Sequence, residues 1–116
     1  MTYGYAPPPP AVPSVTVDEL HSATAAGAPV IDVREREEYV GGHVPGAVLI
    51  PLGEVVERVD EVDTTAPVYV ICATGNRSAK AVQWYRRQGI DARNVAGGTQ
   101  AWVTSGKTTA FGLDPG

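Results

Sequence analysis

One cysteine, Cys72, occurs in 116 residues. An internal disulfide is therefore excluded, as is a zinc site built from several thiolates. Whatever Cys72 does, it does without a resolving cysteine in the same chain. Positive charge is also in short supply, with nine Lys and Arg against 13 Asp and Glu and a net charge of −4. That balance argues against nucleic acid as a partner, because proteins that bind it carry a basic footprint. No apolar run is long enough to span a membrane, and no membrane partner is expected. Met1 to Pro13 lack the basic start and apolar core of a secretory signal, so a cytoplasmic location is expected.

What is present fits one small globular domain, with 43% hydrophobic and 19% charged residues. Five of the ten prolines fall within residues 1–13. This stretch is expected to be an extended tail, either passive or a ligand for a proline-binding partner. The domain is expected over residues 14–108, followed by a C-terminal tail over 109–116. Thr16 with Glu19 has the form of a capping box, which predicts a first helix over 17–26 ended by Gly27. Short runs at 30–33, 47–50, 68–71 and 94–96 read as strands buried on both faces, as in a parallel sheet. Segments 35–40, 54–59 and 78–88 can cover those faces, so the expected class is α/β with helices on both sides of a small sheet.

The segment from Val68 to Lys80 carries the chemistry. An apolar strand ends at Cys72, and a short loop containing Gly75 leads into a helical pattern. A strand entering a helix through such a loop aims backbone N–H groups and the positive end of the helix dipole at one point. A thiol held there ionises more readily than free cysteine, and reactive cysteines in such settings reach pKa ~3.5–7.5. The N–H groups of Ala73, Thr74, Gly75, Asn76 and Arg77 are the expected anion cradle. Gly75 allows the positive φ that brings the backbone close to the anion. Arg77 has two readings, a charge-assisted contact to the anion or a lock onto neighbouring carboxylates. Five basic residues (Arg77, Lys80, Arg86, Arg87, Arg93) lie on or just after this helix, and Arg86 and Arg87 read as a solvated face. Ser78 reads as the helix N-cap rather than a catalytic hydroxyl.

Ligand sites in open α/β sheets lie at the carboxyl ends of the strands, so Asp32, Arg34 and the Gly97-Gly98 turn should gather near Cys72. Asp32 and Arg34 read as a structural charge pair or backbone anchors near the loop, with direct catalysis as the alternative. His43 reads as a histidine that fastens its loop by hydrogen bonds, with a general base as the alternative. Trp102 should pack the last helix onto the sheet, and His21 should be a surface residue.

Four blocks, Ile31-Asp-Val-Arg-Glu35, Gly42-His-Val-Pro-Gly-Ala47 with Ile50-Pro51, Cys72-Ala-Thr-Gly-Asn-Arg-Ser78, and Ala96-Gly-Gly-Thr-Gln-Ala-Trp102, occur in one order. In order and spacing they resemble the rhodanese homology domain, from about Val15 to Gly106. The resemblance implies a single-domain sulfurtransferase with a rhodanese-like sheet. Cys72 would take sulfur from a donor such as thiosulfate, hold it as a persulfide, and pass it to cyanide, a thiol or a sulfur-relay protein. No organic cofactor and no metal is implied. Ala73 stands where many active members carry a basic residue, which removes a contact to an anionic donor. Gly106 is followed by Lys107-Thr-Thr, where the family usually has a proline soon after. Three competing readings are a cysteine phosphatase or arsenate enzyme of related fold, a non-catalytic binding or regulatory module, and a redox sensor. Phosphatase loops place five residues between cysteine and arginine, whereas four separate Cys72 from Arg77, which favours sulfur.

Overall fold

The computed structural model describes residues 11–116. The proline run lies outside the described residues, so the expected tail is described only from Ala11 onward. Five parallel strands form one sheet in the order β1-β5-β4-β2-β3. They are β1 (Ser14–Val15), β2 (Val30–Asp32), β3 (Val48–Leu49), β4 (Val68–Ile71) and β5 (Ala92–Val95). Four helices join them: α1 (Val17–Ala25), α2 (Arg36–Val40), α3 (Asn76–Arg87) and α4 (Gly98–Thr104). None of the described helices is long and apolar enough to cross a membrane.

Alternation along the central strands divides the apolar residues between two cores. Ile31, Val68, Val70 and Ala92 face α3 through Ala81, Val82 and Tyr85. Val30, Tyr69, Ile71 and Val95 face the other way, onto Leu20 of α1, Tyr39 of α2 and Trp102 of α4. The expected α/β class with helices on both faces is therefore the one observed. Burial of each such aliphatic side chain stabilises by about 1.5–3 kcal/mol, which explains why the β4 sequence is apolar at every position.

Thr16 caps α1 as its spacing predicts, accepting from Glu19 N at 3.1 Å while Glu19 Oε1 accepts from Thr16 N at 3.3 Å. Expected bounds shift by a residue or two, β5 starting at Ala92 rather than Asn94, and one strand was not expected. β1 went unrecognised because its two residues follow Pro13 and are defined only by pairing, Ser14 with Asn94 and Val15 with Val95. The segment 54–59, expected to cover a face of the sheet, lies between two short 3₁₀ turns, Leu52–Glu54 and Val59–Glu61. Only Val55 and Val62 of that stretch are buried deeply, too few to define a helical stripe.

Residues beyond 108, expected as a C-terminal tail, hydrogen-bond back to the region after α2. His43 and Ala110 exchange backbone hydrogen bonds at 2.8 Å, Gly112 N donates to Val40 O, and Gly46 N donates to Pro115 O at 2.7 Å. Residues 109–116, read from sequence as a tail, are thus fastened to the loop after α2. Their few apolar residues gave no periodic signal.

Candidate active site

β4 is the sheet's central strand and delivers Cys72 between the carboxyl ends of β5 and β2. The N-terminus of α4 closes over the loop from the β5 side. Thr99 N and Oγ1 donate to Cys72 O at 2.9 and 3.1 Å, and Gln100 N donates to Ala73 O at 3.0 Å. This approach demands glycine at position 98. A Cβ there would lie 2.6 Å from the Ala73 carbonyl carbon and oxygen, and closer still to Cys72 O. The Gly97-Gly98 turn thus meets Cys72 at one edge, where sheet topology places it.

Cys72 is 1% exposed, and its sulfur is held from two directions. Gly75 N donates to Sγ at 3.1 Å, and Ser78 Oγ lies 3.2 Å from it. Burial pushes the thiol pKa up. Hydrogen bonds from the Ser78 hydroxyl and from the backbone N–H groups of Ser78, Gly75 and Thr74 outweigh that burial and hold the thiol below its ordinary value. Gly75, at φ 110°, supplies the left-handed residue that turns the loop into α3.

Ser78 is not the N-cap expected from sequence. Gly75 occupies that position, and Ser78 lies one turn inside α3 with its hydroxyl turned to the sulfur. The same hydroxyl meets Asn94 Oδ1 at 2.5 Å, and Asn94 Nδ2 donates to Gly75 O at 3.2 Å. One hydroxyl hydrogen serves two acceptors. With the thiol protonated, S–H can donate to Ser78 while Ser78 donates to Asn94. Stabilising a thiolate requires the Ser78 hydrogen to turn to sulfur, whereas the backbone donors act without that change.

Of the two readings of Arg77, the geometry favours the lock. Its Nη1 and Nη2 donate to Glu38 Oε1 and Oε2 at 2.7 and 2.8 Å, a bidentate pair joining α3 to α2. The Arg77 hydrogen bonds hold the Glu38 carboxyl at about 2, well below its ordinary 4.5. Asp32 and Arg34 form a second pair at 2.8 Å, both buried, and Arg34 Nη2 also donates to Gly42 O. Their role is to brace the ends of β2 and α2. His43 is buried and stacks on Tyr39 at 3.7 Å. Its Nδ1 lies 2.9 Å from Tyr39 O and its Nε2 3.1 and 3.2 Å from the carbonyls of Asp114 and Pro115, so both ring nitrogens face backbone carbonyls of the loops they fasten.

Three of the five basic residues on and after α3 are taken up by carboxylates, Arg77 by Glu38 among them. Arg86 and Arg93 both pair with Asp91. Trp102 is buried and donates Nε1–H to Thr108 O at 2.9 Å, while exposed His21 packs edge-on against its ring. Sequence reading missed Glu38, Asn94 and Thr99 as parts of the site. An acidic residue four positions after Arg34 was the only local sign of the first, Asn94 carried none, and Thr99 lay within the Ala96–Trp102 block with no role of its own.

A family model described as the rhodanese-like domain matches residues 16–105. The chain belongs to the rhodanese-like domain family. YrkF of Bacillus subtilis (strain 168) is 44% identical over 80 residues, covering 68% of this chain and 42% of that protein. The uncharacterized protein YqhL of the same organism is 42% identical over 76 residues, 65% of this chain and 60% of that one. The chain thus spans about half the length of these curated relatives. Thiosulfate sulfurtransferase GlpE of Pseudomonas paraeruginosa (strain DSM 24068 / PA7) is 35% identical over 77 residues, 66% and 70% of the two chains. Among solved structures, a rhodanese-related protein from Thermoplasma volcanium superposes with a TM-score of 0.81 at 32% identity, covering 88% of this rhodanese-like chain and 99% of that one.

Proposed function

We propose that this rhodanese-like chain is a sulfurtransferase and that Cys72 carries the sulfur as a persulfide. The observation that carries the reading is the surroundings of Sγ: a lone cysteine at a strand end, with Gly75 N–H and the Ser78 hydroxyl aimed at its sulfur. Such preorganised donors stabilise negative sulfur before and after transfer. With thiosulfate as donor, the Cys72 thiolate attacks the outer sulfur, the donor's S–S bond breaks, and its electron pair leaves on sulfite. The persulfide formed retains the charge of the thiolate. Cyanide then takes the terminal sulfur as thiocyanate and returns the pair to Cys72. Neither half needs a cofactor or metal, because sulfur itself is both carrier and cargo.

The arginine at the end of the loop separates this reading from phosphate chemistry. Both forks of Arg77 are engaged by Glu38, so the loop presents no free guanidinium to a tetrahedral oxyanion. Thiocyanate formation from thiosulfate and cyanide should be detectable and abolished in Cys72→Ser, with aryl phosphate hydrolysis at background. Cys72-dependent phosphatase activity without sulfur transfer would replace this reading with its rival.

A further inference from the structure

Beside the Cys72 loop opens a cleft of about 510 Å³, with Ala73 on its wall. That size lies within the range of roughly 300–1,000 Å³ that holds organic ligands. Its apolar lining is left bare: Val103 is 52% exposed and Phe111 68%. Methyl-bearing Thr99 and Thr109 line the same cleft. Two large apolar side chains exposed together at the edge of a reactive loop mark a binding surface more than a random one.

The charges point the same way. Three charged side chains line the cleft, Arg34, Glu37 and Glu38. The Arg34 guanidinium is engaged by Asp32 and the Gly42 carbonyl. Glu38 is engaged by Arg77. Glu37 is exposed and has no ion-pair partner among the described residues. The one uncompensated charge offered to a ligand is therefore negative, and Ala73 adds none.

Resting on the sulfur-transfer reading above, we infer that this cleft holds the body of an organic thiol, apolar and without negative charge, that exchanges sulfur with Cys72. The thiolate R–S⁻ attacks the outer sulfur of the Cys72–S–S⁻ persulfide. The protein's S–S bond breaks, its electron pair returns to Cys72 as thiolate, and R–S–S⁻ departs with the outer sulfur and its charge. The reverse reaction loads the protein from an organic persulfide. No net oxidation occurs in either direction, so no further reagent is needed. A small inorganic dianion gains little from the apolar walls and meets the Glu37 carboxylate.

The test starts from protein loaded at Cys72 with inorganic polysulfide and freed of excess reagent. Second-order rates of unloading are then measured with benzyl mercaptan, 2-mercaptoethanol and 3-mercaptopropionate, each corrected for its thiolate fraction, and with cyanide as reference. Benzyl mercaptan is expected to exceed 2-mercaptoethanol by about tenfold or more, the effect of burying part of an aromatic ring. The carboxylate thiol should be slowest, and Glu37→Gln should narrow its deficit. Val103→Ser and Phe111→Ser should lower the benzyl mercaptan rate several-fold relative to each variant's own cyanide rate, so a general loss of activity cancels. Equal corrected rates for all three thiols, unchanged in the variants, would overturn the assignment of the cleft while leaving Cys72 as carrier. A folded protein whose Cys72 takes up no sulfur would overturn the sulfur-transfer reading itself.

Discussion

Ser78 is where a single hydrogen decides the state of the nucleophile. Its hydroxyl stands between Cys72 Sγ and Asn94 Oδ1, and Asn94 is oriented by the Gly75 carbonyl. Removing each neighbour should therefore shift the thiol in opposite directions. In Ser78→Ala the sulfur keeps its backbone donors but loses the hydroxyl, so its ionisation moves up toward that of an ordinary thiol. In Asn94→Ala the competing acceptor is gone, the hydroxyl turns to sulfur, and ionisation moves down. The pH profile of iodoacetamide alkylation reads both, with the wild-type midpoint below the ordinary cysteine value. Shifts of the same sign in the two variants would contradict the shared-hydrogen geometry. At this scale the sequence made the cysteine and its loop legible, because a strand, a Gly and a helix start are contiguous signals. Asn94 was not legible, since it reaches Ser78 across 16 positions and only strand pairing brings them together.

Between elements, the Glu38–Arg77 pair ties α2 to the start of α3 and so fixes the loop from outside. Both side chains are about a third exposed, so the pair contributes no more than about 1 kcal/mol. Its pH dependence has a definite sign. Glu38 has a folded-state pKa near 2 against an ordinary 4.5, so the unfolded chain binds the proton first as pH falls. The stability it contributes is whole above about 4.5 and is lost between about 4.5 and about 2. Urea unfolding of Glu38→Gln should show a deficit of up to about 1 kcal/mol at neutral pH that closes across that window. A deficit independent of pH would show that the carboxylate charge is not what holds the helices together. Helix α1, capped by Thr16 and Glu19, and strand β4, apolar throughout, were legible from local pattern alone. The Glu38 contact spans 39 residues and left no such pattern.

At the scale of the molecule, the α/β class and the gathering of strand ends were legible because buried parallel strands are apolar on both faces. The closing of the chain was not. Asp114 and Pro115 offer carbonyls to the His43 ring across more than 70 residues, and the residue types at 114 and 115 do not encode a contact made through their backbone oxygens. The result is a domain that surrounds one buried sulfur with donors, braces its loop by the Glu38–Arg77 ion pair, and leaves an apolar cleft beside it. Sulfur carriage by Cys72 is the claim on which this account turns, and intact mass measures it directly. Protein treated with a sulfane donor should gain the mass of one sulfur atom, return to its starting mass on addition of cyanide, and gain nothing as Cys72→Ser. A folded wild-type protein that gains no sulfur, or a Cys72→Ser variant that gains as much, would contradict it.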